Sequence, residues 1–249
     1  MVATVDRGAQ LRLMRSDRLF YASMSAIVVG LVFVGFARSW FLSAWFAPPP
    51  GTPRIGPLLV FHGVIFSTWA ALLLTQPLLI SARNVRLHRR LGYAGAGLAA
   101  LMWIVGNLAA IAAIHVGFIG MGDPYAAYIL PFVDLQVFAV CTALAVALRR
   151  SPEAHKRLIL LGSTQIAEPA LARLPLAGWS DTLPAGSLVG CDFVILAGVV
   201  YDFATRGRVH PVWVFGGAAV VASEVIRLAI NHTGPWLAFA RFMASLYAG

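Results

Sequence analysis

Ten acidic residues occur in the chain, and four of them, Asp134, Glu168, Asp192 and Glu224, fall in the outer or middle part of long apolar runs. A carboxyl group in hydrocarbon costs a few kcal/mol, so such a residue turns toward a bundle interior and takes a partner. One cation, Arg227, lies at comparable depth, three residues from Glu224 and on the same helical face, which Asn231 continues. Gln165 and Glu168 are also three apart, Trp103 and Asn107 share a face, and His62, Trp69 and Gln76 recur every seven residues along one stripe. The spacing predicts one polar pocket opening toward the outer face of a membrane. Its ligand- or cofactor-binding candidates are His62, Trp69, Asp134, Gln165, Glu168, Asp192, Glu224 and Arg227. The plainer alternative is a set of structural ion pairs, with Arg227 serving Asp192 or Glu224. One arginine neutralises two carboxylates at most, so four acids leave a remainder.

That remainder defines the chemistry. Neighbouring acids can share protons and relay them. Histidine with several carboxylates is also a ligand set for a metal ion, although the Glu-x-x-His pair of di-iron bundles is missing. Haem b needs two histidines on different helices at one depth. The inner-interface candidates His88, His155 and His210 meet that condition, as would His62 with His115 or His232. Quinone is a further cofactor of the same redox class. Against a haem role, histidines beside Arg89, Arg90, Lys156 and Arg157 also suit helix starts and anionic lipid headgroups. Cys141 and Cys191 sit at different depths, which argues against both a disulfide and a cysteine metal site. No pattern assigns a reaction, so enzyme activity stays open.

The elements that would position these groups are transmembrane helices. Of 249 residues, 59% are hydrophobic and only 12% charged, against about 25% charged in soluble domains. The formal charge of +9 does not point to nucleic acid, because the basic residues come in bursts between apolar runs. A span takes about 20 apolar residues. The expected spans are Leu19–Phe46, interrupted by Arg38, then Pro57–Ile80, His88–Phe118, Tyr125–Leu148, Pro152–Leu174, Leu183–Thr205 and Pro211–His232. The fold class is thus an all-α polytopic bundle of seven transmembrane helices. Residues 1–18 form a cytoplasmic tail, 19–234 the membrane domain and 235–249 a short amphipathic tail. The first run is too long for a cleaved leader. The fifth span is the least regular, carrying Gln165, Glu168 and Pro169. Its start is well marked by Ser151 as a cap, Pro152 in the first turn and Glu153 at the positive helix end.

Basic residues set the orientation. Arg7, Arg12, Arg15 and Arg18 precede the first span. Arg83, Arg86, Arg89 and Arg90 follow the second, Arg149, Arg150, Lys156 and Arg157 the fourth, and Arg206 and Arg208 the sixth. With seven spans all of these fall on one side, which predicts N-in, C-out. Three hairpins echo one another. His88, His155 and His210 each stand at an inner turn, and Gly95, Gly162 and Gly217 follow them at seven residues. This suggests a 1+2+2+2 hairpin repeat, although basic turns and packing glycines are common in any bundle.

The strings FHGVIFSTW with Gln76, RLHRRLG, AHKRLILL and YDFATRGRVHP resemble a broad bacterial family of multi-span integral membrane proteins without an assigned activity. The resemblance covers nearly the whole chain. It implies a shared fold in the bacterial cytoplasmic (inner) membrane and carries over no catalytic residue. Two characterised families fit less well. Zinc hydrolases of the progestin/adiponectin-receptor and ceramidase type need a His-x-x-x-His pair on the last helix, and none is present. Rhodopsins need a lysine there, and the chain's single lysine is Lys156. The reading that follows is a membrane bundle whose polar pocket binds a cofactor or small molecule, redox or proton-coupled. The alternatives are an accessory or assembly subunit with other membrane subunits as partners, and a small proton-coupled transporter. Beyond those, the lipid bilayer is the expected partner.

Overall fold

The computed structural model describes residues 7–48, 56–117, 122–174 and 185–247. The described residues form helices and turns, with no strand among them. In order the helices are α1 (Arg7–Gly35), α2 (Pro57–Ser81), α3 (Val85–Val116), α4 (Pro124–Ala127), α5 (Ile129–Ala147), α6 (Pro152–Gln165), α7 (Glu168–Leu171), α8 (Ala185–Arg206), α9 (Ala218–Ile230) and α10 (Gly234–Ser245). Wide π-helical turns follow α1 at Ala37–Phe41 and precede α9 at Val212–Gly217. Helix α1 starts at Arg7, so the expected tail of residues 1–18 is largely the first turns of that helix.

Among the described residues six helices are long and apolar enough to cross a membrane: Arg12–Gly35, Pro57–Ser81, Val85–Val116, Pro124–Ala147, Gly186–Arg206 and Val212–Ile230. Their outer faces fit lipid. On α8 the exposed residues are Val189, Phe193, Leu196, Val200 and Phe203, all large and apolar at three- and four-residue spacing, while Cys191 and Asp202 are buried. A helix in water shows the reverse pattern.

The segment expected as the fifth span is built differently. Helix α6 has 14 residues, about 21 Å at 1.5 Å per residue, and its residues Leu160 to Gln165 are all buried. It packs against α1, α5 and α8, so protein rather than lipid surrounds it. Pro169 explains where it stops. Proline lacks the N–H that would bond the carbonyl four residues back, and its ring crowds that carbonyl. The chain turns at Ile166 and Ala167 and resumes as α7. Interrupted backbone at membrane depth is tolerated where protein covers it. Pro152 and Glu153 stand in the first turn as expected, but the Ser151 side chain makes no capping bond. Gly162 lets α5 approach, since a Cβ there would lie 2.8 Å from the Cys141 Cβ. Gly198 does the same for Trp213, whose indole would be 2.4 Å from a Cβ at that position.

Candidate functional site

The break after Gln165 sets up the site. The carbonyl of Thr164, already bonded by the Ala167 N–H at 3.0 Å, also accepts from the Cys191 Sγ at 3.5 Å, which draws α8 against the end of α6. Glu168, the first residue of α7, is 3% exposed and accepts a hydrogen bond from the Ser187 hydroxyl. Asp134 comes from the second turn of α5, and Glu224 and Arg227 from one face of α9.

Arg227 is the centre. It is 1% exposed and its Nη1 donates to Asp134 Oδ1 at 2.5 Å. Its Nη2 lies 3.6 Å from Glu224 Oε1. The carboxyls of Asp192 and Glu224 lie within reach of each other, and a hydrogen bond between two carboxyls needs a proton. Glu168 lies within electrostatic reach of both Asp134 and Arg227. All four acids therefore lie about the Arg227 guanidinium; of its two expected partners Glu224 is within ion-pair distance, and Asp134 is bound more closely. The far oxygens Asp134 Oδ2 and Asp192 Oδ1 and the Arg227 Nε have no hydrogen-bond partner among the described residues.

The other candidates lie elsewhere. His62 on α2 stacks on Phe66 with ring centroids 4.0 Å apart. No hydrogen bond or ion pair links it to the acids among the described residues. Trp69 is buried and donates from Nε1 to Ser163 Oγ at 3.2 Å. Gln165 is buried at the end of α6, with its Nε2 unpartnered among the described residues. Trp103 donates to Gln136, which donates in turn to Asn107. His115 Nε2 is 3.2 Å from the Ala244 carbonyl oxygen. A groove of about 520 Å³ away from the acids is lined mainly by alanines of α3 and α5, including Ala99 and Ala143.

Of the inner histidines, His88 and His155 approach each other, with ring centroids 6.5 Å apart and nearly perpendicular planes. His155 Nδ1 is 2.9 Å from the Ala145 carbonyl oxygen. His210 stands apart: its backbone N–H donates to Asp202 and its Nδ1 accepts from the Val212 N–H. Burial, with the positive charge of Arg157 behind it, holds the His210 imidazole below the usual histidine range. Among the described residues no three His, Cys, Asp or Glu side chains form a group that could hold a metal.

A second charged centre went unread in the sequence. Arg157 and Asp202, both fully buried, form a two-pronged pair, with Nε donating to Oδ2 at 2.9 Å and Nη2 donating to Oδ1. Arg157 also binds Glu153 at 2.8 Å. Lys156 bridges Glu153 and Asp17 at 2.6 Å each. Arg206 binds Asp17 at 2.6 Å and reaches Asp202 at 3.2 Å. The Tyr201 hydroxyl donates to Asp17 at 2.7 Å. Lys156, Arg157 and Arg206 thus spend their charge on protein carboxylates and not on lipid. The signal was present in two helical four-residue pairs, Glu153/Arg157 and Asp202/Arg206.

No family model, curated protein or solved structure matches this chain.

Proposed function

We propose that this is a multi-pass membrane protein that couples the binding of a small molecule to protonation, a small proton-coupled carrier. The observation that supports this reading is the ratio at the acid centre: four carboxyls gathered about Arg227, with Arg173 the one further cation within electrostatic reach, at Glu168. Asp134 takes the Arg227 charge. Asp192 and Glu224 share a proton, and Glu168 is held by a neutral hydroxyl. A structural pair needs one acid, and the excess is a store for protons or a cation. The site also lies at a helix break, where discontinuous helices of carriers place their binding groups. We read residues 152–174 as a seventh, protein-covered crossing, which gives the N-in, C-out arrangement in a bacterial inner membrane and keeps the hairpin repeat.

The test is a pH jump on the purified protein adsorbed on a solid-supported membrane. Wild type should give a transient displacement of charge, and Asp192→Asn with Glu224→Gln should give almost none. A silent wild type, or an unchanged double variant, refutes proton loading at this centre.

One further observation favours a second reading. His88 and His155 stand on neighbouring helices, and a contact of one ring nitrogen with a carbonyl, as at His155, is how ligating histidines are oriented. A haem b held there would give a Soret band in the purified protein's visible spectrum. A featureless spectrum from metal-free protein leaves the proton-coupled reading.

A further inference from the structure

The two charged centres are joined by the same helices. On α8, Asp192 and Asp202 are ten residues apart, about 15 Å. On the α6–α7 segment, Arg157 and Glu168 are separated by a similar length. The network around Arg157 therefore lies about half a bilayer from the acid centre, at the end where α3 and α6 begin and His88 meets His155. Its charges balance: Lys156, Arg157 and Arg206 against Asp17, Glu153 and Asp202. A balanced network, fully buried at Arg157 and Asp202, needs no ligand and closes the space between the elements that supply it.

Those elements are α1, α6 and α8. At this end α1 is held by polar and aromatic contacts. Asp17 bridges Lys156 and Arg206, Phe20 stacks on Tyr201 with centroids 4.0 Å apart, and Lys156 sits 4.9 Å over the Tyr21 ring. At the far end of α1 the contact is of another kind. A Cβ on Gly35 would lie 2.2 Å from the Ala170 carbonyl oxygen, so the two backbones touch beside Glu168. From Gly35 to Asp17 is 18 residues, about 27 Å of rigid helix.

Resting on the carrier reading, we propose that the Asp17–Lys156–Arg157–Asp202–Arg206 network is a gate over the acid centre, opened when α1 tilts about its Gly35–Ala170 contact. Ion pairs suit such a gate. Closed, they bear a desolvation cost; opened, each charge regains water, so the two states lie close in free energy. An apolar plug would have no such compensation.

Cys191 is a native reporter. It is 1% exposed, contacts the Thr164 carbonyl and lies within the field of Asp134, Glu168, Glu224 and Arg227. The experiment labels Cys191 with a membrane-impermeant maleimide in vesicles of both orientations, in a Cys141→Ala background. Wild type should react slowly. Asp17→Asn, and separately Arg206→Gln, which leaves the buried Arg157–Asp202 pair in place, should react at least about tenfold faster. That factor corresponds to roughly 1.4 kcal/mol of lost latch energy. The increase should occur only from the face carrying the turn between α2 and α3. The conservative Asp17→Glu, which keeps a carboxylate facing both Lys156 and Arg206, should keep Cys191 protected. Folded variants in which Cys191 stays as protected as in wild type, or reacts equally from both faces, overturn the gate. Labelling does not require proton loading, so faster labelling with silent pH jumps would refute the carrier reading alone.

Discussion

Replacing Arg227 by leucine removes the cation that Asp134 and Glu224 share. The side chain is 1% exposed and its Asp134 partner 2%, so water cannot take over the lost contact. Breaking a fully buried pair by removing one member costs about 3–5 kcal/mol. Neutral hydrogen bonds between membrane helices average only about 0.6 kcal/mol, so the charge sets the outcome. Asp134 can soften the loss by taking a proton, which places the expected value near the lower end, about 3 kcal/mol. Replacing Asp134 by leucine as well removes the orphaned carboxyl and should recover most of it. Arg241→Leu should cost under about 1 kcal/mol, because it loses only a cation–π contact with Tyr125 at 5.5 Å. The assay is reversible unfolding in mixed detergent–SDS micelles, followed by circular dichroism. An Arg227→Leu cost below about 1 kcal/mol, or additive costs in the double variant, would refute the reasoning.

Further outcomes follow from the packing and the network. Gly198→Ala should destabilise by about 1–3 kcal/mol through overpacking against Trp213, whereas Gly30→Ala, with nothing within 4 Å of the added Cβ, should be neutral or stabilising; thermal unfolding compares them. His210 is held below the usual histidine range, so the folded state binds its proton less readily than the unfolded chain. Its contribution is present above the ordinary histidine value and is lost as pH falls. His210→Gln should therefore flatten the decline in melting temperature on acidification, relative to wild type; an identical decline would assign it to other groups.

Much of the architecture was legible because lipid-facing helices need uninterrupted apolar runs, and six such helices are present. The four acids were legible by depth, since few other charges occur there. Their pairing was not. The Arg227–Asp134 contact joins residues 93 positions apart, whereas the sequence displays only neighbours within a helix. The seven-residue spacing of His62, Trp69 and Gln76 did not reveal their separate partners. A straight helix drifts about 20° per seven residues, and Trp69 turns to Ser163 while His62 stacks on Phe66. The network at Arg157 was hidden by its location. Basic residues at helix starts are expected to face headgroups, and only the fold brings Asp17 on α1 and Asp202 on α8 to them.

Proton coupling at Asp192 and Glu224, as proposed, requires the acid centre to hold a proton at neutral pH. Infrared spectroscopy of the protein in lipid measures this directly, through the carbonyl stretch of a protonated carboxylic acid and its downshift in D₂O. Wild type at neutral pH should show that band, and Asp192→Asn with Glu224→Gln should weaken it markedly. A wild-type spectrum without the band, or one that the double variant leaves unchanged, would contradict the account.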